Sequence, residues 1–199
     1  LRASLHGVFV CAQFNVGEAM YEFDKEGCLC HHSAAENSVQ IMLDDVPYGW
    51  NGGETYTLKL QIIGGPAATG TYTAGFSMRT SAGVLSGDEV QNWEDDVTTL
   101  THTEASADEA ERMWTITWQA PETGSGNVNF WITGNSVNGD QLNNAGGEED
   151  QWNQLLFSLQ EGSDTTTALG TRTLFAGDGN VSPPEPDHHG VDLHHMGAK

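Results

Sequence analysis

The segment Cys28-Leu29-Cys30-His31-His32 places two thiols and two imidazoles within five residues. Thiolates and imidazoles together point to a transition metal, to haem or to a disulfide. Covalent haem attachment uses C-x-x-C-H, in which two cysteines form thioethers and the histidine binds iron. Here one spacer residue is missing between Cys28 and Cys30. Each residue of a helix turns by about 100°, so the deletion swings the first cysteine away from the vinyl group it should meet. Attachment through Cys30 alone, with His31 as axial ligand, stays open. So does a metal site drawn from Cys28, Cys30, His31 and His32. A disulfide among Cys11, Cys28 and Cys30, the 3 cysteines of the chain, or inert thiols, is the third alternative. The Cys28–Cys30 pairing is tight but feasible in extended chain. A second group lies in the tail, where His188, His189, His194 and His195 precede or flank Met196. His and Met are the usual sixth ligands of a c-type haem, so His194, His195 and Met196 are candidates to close a site opened by His31. The competing reading of the tail is a segment leading to an anchor beyond Lys199.

Carboxylates form the other chemical signal: Asp44–Asp45, Asp88–Glu89, Glu94–Asp95–Asp96, and Asp140 with Glu148–Glu149–Asp150. Calcium takes about six to eight oxygen ligands from flexible loops. None of these clusters has the D-x-[DN]-x-[DN]-G register. If one loop binds calcium, Asp140, Glu148, Glu149 and Asp150 are the best-placed set, because they cap the two most regular strands. A solvated acidic surface is the alternative. No catalytic constellation stands out: there is no G-x-S-x-G elbow, no H-E-x-x-H and no P-loop. His102, in a strand-like THT, reads as a surface residue of the sheet rather than a base. Carboxylate pairs are expected by coincidence among 28 acidic residues, so they give no weight to glycosidase chemistry. The chain is expected not to be an enzyme.

The balance of 28 acidic against 7 basic residues, a formal net charge of -21, repels nucleic acid and anionic membrane surfaces. Nucleic-acid binding is excluded on this ground, since no basic stripe exists. No apolar run is long enough to span a bilayer, so membrane attachment would come only through an anchor outside this chain.

What must position any site is a set of short strands. Apolar and polar residues alternate with a period of two in SVQIMLD, in ETYTLKLQIIGG and in TGTYTAGFSMRT, the last through Tyr72, Ala74, Phe76 and Met78. The same alternation runs through WTITWQ, VNFWIT and QLLFSLQ. A weaker strand is expected from about Val97 to Thr103. The expected core comprises Leu58, Leu60, Phe76, Trp114, Ile116, Trp118, Val128, Phe130, Ile132, Leu155 and Phe157. Trp131 falls on the face opposite Phe130, where inter-sheet packing is the favoured reading and contact with carbohydrate or protein the alternative. Large aromatics bury roughly 150–250 Å² each, enough to fill a sandwich core despite a hydrophobic content of 37%. Residues 1–26 are poorly patterned and read as peripheral; LHGVFVCAQ has the apolar character of a signal-peptide remnant but lacks its charged start and full length. From residue 161 to 199 the polar, Pro-rich composition reads as a flexible linker and His-rich tail.

In this order the pieces resemble the Reelin-like domains of prokaryotic surface proteins, the group called choice-of-anchor V. GGETYTLKLQI (52–62), AGFSMRTSAGVL (74–85), the THT at 101–103 and WTITWQAPETGSGNVNFWITGNSVNGD (114–140) carry the likeness, with the Cys–His motif upstream. The resemblance covers residues 27–160. It implies an all-β, immunoglobulin-like antiparallel β-sandwich, located outside the cytoplasm at the cell surface or secreted, and anchored by a variable C-terminal element. Many relatives look as though they carry the full C-x-x-C-H motif. Two functional expectations follow. One is a non-catalytic adhesion module for a glycan or protein. The other is a surface-anchored mono-haem c electron carrier with a redox partner. Fold analogy alone supplies no reaction.

Overall fold

The computed structural model describes residues 27–28, 34–103, 112–140, 150–162 and 170–176. These residues form strands β1 (Val39–Pro47), β2 (Thr55–Gly64), β3 (Ala74–Thr80), β4 (Val84–Gly87), β5 (Val90–Trp93), β6 (Asp96–His102), β7 (Met113–Gln119), β8 (Val128–Val137), β9 (Asp150–Leu159) and β10 (Thr171–Ala176). The alternation in the sequence sets the two faces of each strand. In β2 and β7, Leu58 pairs with Ile116 and Leu60 with Trp114, so the apolar members share one side. Pairing displaced by one residue would turn every one of them to water.

The strands build two antiparallel five-stranded sheets that pack as a sandwich. The first runs β10-β1-β2-β7-β4 and the second β5-β6-β3-β8-β9. All eleven residues expected in the core lie in or against one hydrophobic cluster; Phe157 sits at its margin, half-buried. Aromatic contacts cross the gap between the sheets. Trp118 of β7 meets Phe130 of β8 edge-on at 4.9 Å, and Phe76 of β3 meets Trp114 of β7 at 4.9 Å. Phe130 in turn stacks on Phe157 of β9 at 4.7 Å.

Polar side chains fasten the sandwich at three places. Asn92 Nδ2 donates to the carbonyls of Leu85 in β4 (2.9 Å) and Thr99 in β6 (2.6 Å), bridging the sheets along one margin. At the other margin Asn153 Nδ2 of β9 donates to the Val39 carbonyl of β1 at 2.8 Å. The third fastener is Arg112, a buried cation just before β7. Its Nη1 donates to the Gly64 carbonyl and to Ser136 Oγ, both at 2.9 Å, and its Nε donates to Thr73 Oγ1 at 3.1 Å. Gly64 ends β2 and Ser136 lies in β8, so one guanidinium joins both sheets. Arg112→Met keeps the bulk but strands these acceptors in the interior. We expect it to lower stability by about 2–4 kcal/mol in urea unfolding, since each unsatisfied buried group costs about 1–3 kcal/mol. A loss below about 0.5 kcal/mol would show that the network is not a fastener.

The structure departs from the sequence expectations in four places. Residues 171–176, expected in a linker, form β10 and pair with β1, with Phe175 opposite Met42 and Leu174 opposite Leu43. The acidic loop at Glu94–Asp95 is a two-residue hairpin: both residues have positive φ (48° and 63°), and Trp93 pairs with Asp96. That geometry follows the twist of the flanking strands and usually recruits Asn-Gly, which is why Glu-Asp gave no hairpin signal. Tyr72, expected to face inward, precedes β3 with φ 67° and is exposed. His102, expected on the surface, is buried. Its position in β6 falls opposite Phe76 by continuation of the β3–β6 register, on the inward side.

Candidate functional site

Cys28 is the one member of the proposed haem or metal set that lies among the described residues. Cys30, His31, His32, His194, His195 and Met196 lie outside them, as does Cys11. Cys28 is a free thiol, buried, and burial pushes its pKa up from 9.0 to about 12. Its neighbour Gly27 lies close to the Trp152 ring. Gly27 has φ 87°, and a Cβ there would lie 2.2 Å from the indole of Trp152, so only glycine lets the backbone lie on that ring. Beyond the next described residue, Glu36 N donates to the Trp152 carbonyl at 2.7 Å. A thiol held neutral in an apolar seat is a poor ligand and a poor nucleophile.

Of the calcium set, Asp140 and Asp150 are described; Glu148 and Glu149 are not. Asp140 is exposed in the turn after β8, where its N–H donates to Asn138 Oδ1 at 3.0 Å. Asp150 opens β9, buried, opposite Val137. The two thus stand at the ends of the connection between β8 and β9. Among the described residues no group of three or more His, Cys, Asp or Glu is placed to hold a metal ion.

His102 takes a structural part. The Phe76 N–H donates to its Nδ1 at 3.0 Å, and its ring lies 6.2 Å from that of Trp114. The imidazole occupies the room that a side chain at Gly75 would need, since a Cβ there would come within 2.4 Å of it. Asp96 is likewise engaged: the Thr98 hydroxyl donates to it at 2.7 Å, and this bond does most to hold its carboxyl below the usual range. Slight burial opposes that effect, while the Thr98 amide and the Arg79 guanidinium, 3.5 Å away, reinforce it.

The outward faces of the two sheets differ sharply. On the first sheet Thr57 pairs with Thr117, Lys59 with Thr115 and Thr55 with Gln119. Ser86 and Val84 of β4 extend those rows. Apart from the half-buried Thr117, these side chains are exposed, and they present hydroxyl, amide and ammonium groups on a regular lattice. Strand geometry sets that lattice at about 4.8 Å across strands and about 6.7 Å along them. Lys59 is tethered to Asp45 at 3.0 Å, and at one end Met113 and Phe175 add exposed apolar surface. The sequence pattern predicts which residues point outward but not which of the two outward faces stays open. The second sheet carries Arg79 opposite Trp131, with Trp131 opposite Leu156, on its outward side. Trp131 is half-buried.

No protein-family model matches the chain, and no curated protein matches it. Among solved structures, the human F-spondin reeler domain is similar over 69% of this chain and 99% of its own, at 14% identity and a TM-score of 0.46. A cohesin module from a Clostridium perfringens family 33 glycoside hydrolase is similar over 63% of this chain and 99% of its own, at 15% identity and a TM-score of 0.41. A conjugative transposon lipoprotein from Bacteroides eggerthii is similar over 61% of this chain and 93% of its own, at 17% identity and a TM-score of 0.33. Reeler domains are thus among the solved structures to which this chain is similar.

Proposed function

We propose that this chain is an extracytoplasmic, surface-displayed module that binds a glycan or a protein and performs no reaction of its own. The observation that carries this reading is the open outward face of the first sheet. Thr57, Lys59, Thr115 and Gln119 offer donors and acceptors across a broad surface rather than inside a cleft. Such a lattice suits a partner that is itself extended and polar, with many modest hydrogen bonds contributing together. Sites carried on a sheet are also held more firmly than sites on loops. The acidity keeps the module soluble and away from anionic surfaces. The Pro-rich composition beyond Ala176 suits a spacer that presents the sandwich on an anchor outside this chain.

The test is a glycan and surface-protein array probed with the full chain, then with Thr57→Lys and Thr115→Lys. Both positions are exposed, so the fold should tolerate the changes. Binding that drops tenfold or more in both variants supports the reading. Binding unchanged in both removes the face from the site. A Soret band in chain produced by a cytochrome-maturing host would overturn the reading in favour of electron transfer.

A further inference from the structure

We propose that Tyr72 is a stacking platform for a neutral pyranose sugar, at a site separate from the open face of the first sheet. The backbone at Tyr72 has φ 67°, the left-handed region that a bulky side chain seldom adopts. Glycine or asparagine would carry this conformation with little strain, yet the chain has tyrosine here. The side chain is 55% exposed, so packing does little to offset the strain. Strained residues persist only where their surroundings over-determine them, and such positions cluster at binding sites.

Both flanks of Tyr72 are fixed. Upstream, the Thr69 and Gly70 amides donate to the Asn138 carbonyl at 2.8 Å and 3.1 Å. Two glycines let these segments touch. A Cβ on Gly70 would lie 2.0 Å from the Gly139 carbonyl oxygen, and one on Gly139 would lie 2.6 Å from the Thr71 carbonyl oxygen. Downstream, Thr73 is fully buried. Its Oγ1 accepts from Arg112 Nε at 3.1 Å, and its carbonyl accepts from the Val137 amide at 3.0 Å. The fold thus holds the phenol ring out into solvent from a backbone anchored on either side.

Ring chemistry names the ligand. An aromatic ring carries negative charge density on its faces and attracts weakly positive C–H groups. A pyranose offers such C–H groups on one face and hydroxyls around its rim. Thr69, Thr71 and Asp140 are exposed, and the Asp140 amide lies 3.4 Å from where a Gly70 Cβ would stand. Their hydroxyl and carboxylate groups suit the rim of a sugar. A protein partner calls for an apolar centre to its interface, whereas Gly70, Thr71 and Gly139 beside Tyr72 are small or polar. The net charge of -21 repels uronates and sulfated sugars, which leaves neutral ones. The site stands whether or not the first sheet binds a partner.

The test titrates the full chain with cellohexaose, mannohexaose and chitohexaose by calorimetry. At least one should bind. Tyr72→Phe should bind it within twofold of the unsubstituted chain, and Tyr72→Asn at least tenfold more weakly. Because asparagine tolerates positive φ, the urea midpoint of Tyr72→Asn should equal or exceed that of the unsubstituted chain. Binding of none of the three sugars, undiminished binding by Tyr72→Asn, equal weakening by Tyr72→Phe, or a lowered midpoint would each overturn the proposal. Thr57→Lys separates the two sites and should leave this binding unchanged. Binding lost in Thr57→Lys but kept in Tyr72→Asn would place the sugar on the first sheet, overturning the Tyr72 site while sustaining the reading of that face.

Discussion

Trp118→Ala lowers the stability of the folded chain by about 3–5 kcal/mol, the cost expected when a fully buried tryptophan is cut to a methyl group. The indole is completely buried and sits where both sheets meet. It packs against Tyr56 at 5.5 Å, Trp50 at 6.4 Å and Phe130 at 4.9 Å. Its Nε1–H also donates to the Ala82 carbonyl at 3.2 Å. Truncation therefore removes apolar burial, opens a cavity between rings held by their own strands, and leaves the Ala82 carbonyl with the Thr80 hydroxyl alone of these two donors. The surroundings have little freedom to collapse, because Gly83 already approaches so closely that a Cβ there would lie 2.5 Å from the Trp118 Nε1. Against a total of about 5–15 kcal/mol for a domain, this is a large fraction. Thr117→Ala, one residue away on the outward side, should change stability by no more than about 0.5 kcal/mol. Urea unfolding of the two variants checks the pair; similar losses in both would contradict the inward–outward assignment of β7.

Alkylation of Cys28 is expected to be slower in the folded chain than in the unfolded chain by on the order of a thousand-fold at pH 8. The thiolate is the reactive form, and burial raises the thiol pKa from 9.0 to about 12, which lowers the thiolate fraction by about that factor. Iodoacetamide labelling with and without urea, mapped by mass spectrometry, separates Cys28 from Cys11 and Cys30. Equal labelling rates in the two states would show that Cys28 is not buried in the folded chain. The same burial has a consequence for pH. The folded chain holds the Cys28 proton more tightly than the unfolded chain, so the unfolded chain ionises first as pH rises. The stabilisation is complete below pH 9.0 and is lost progressively as pH rises through about 12. The difference corresponds to about 4 kcal/mol in all. Cys28→Ala should flatten this part of the stability profile.

Much of the molecule follows from local pattern. Period-two alternation in TYTLKLQII, WTITWQ and VNFWIT places side chains on two faces of a strand before any partner is known. Burying one face of several such strands leaves few solutions, of which a sandwich is one. For the same reason Leu58, Ile116, Phe130 and Ile132 could be named as interior from the chain alone. A lone Cys–His cluster could be recognised as chemically unusual, but its composition could not say whether the Cys28 sulfur meets a ligand or is buried as a neutral thiol.

The parts hidden from the sequence are those decided by distant neighbours. β4 and β5 have four residues each, too short for an alternation to register, and they exist because β7 and β6 offer them edges. β10 looks like linker because its apolar residues are few; pairing with β1 makes it a strand. His102 and Arg112 carry polar groups that pattern assigns to water, yet both are interior, because the Phe76 backbone and the Gly64, Thr73 and Ser136 oxygens are waiting there. By itself, then, the sequence determined extended strands, a tryptophan-rich interior and an acidic exterior, since these depend on the nature and spacing of adjacent residues. Only the tertiary structure decided that Cys28 is buried and that the centre of one outward face is open while the centre of the other is buried. Those outcomes depend on which segments meet, and long-range contact is not written in local spacing.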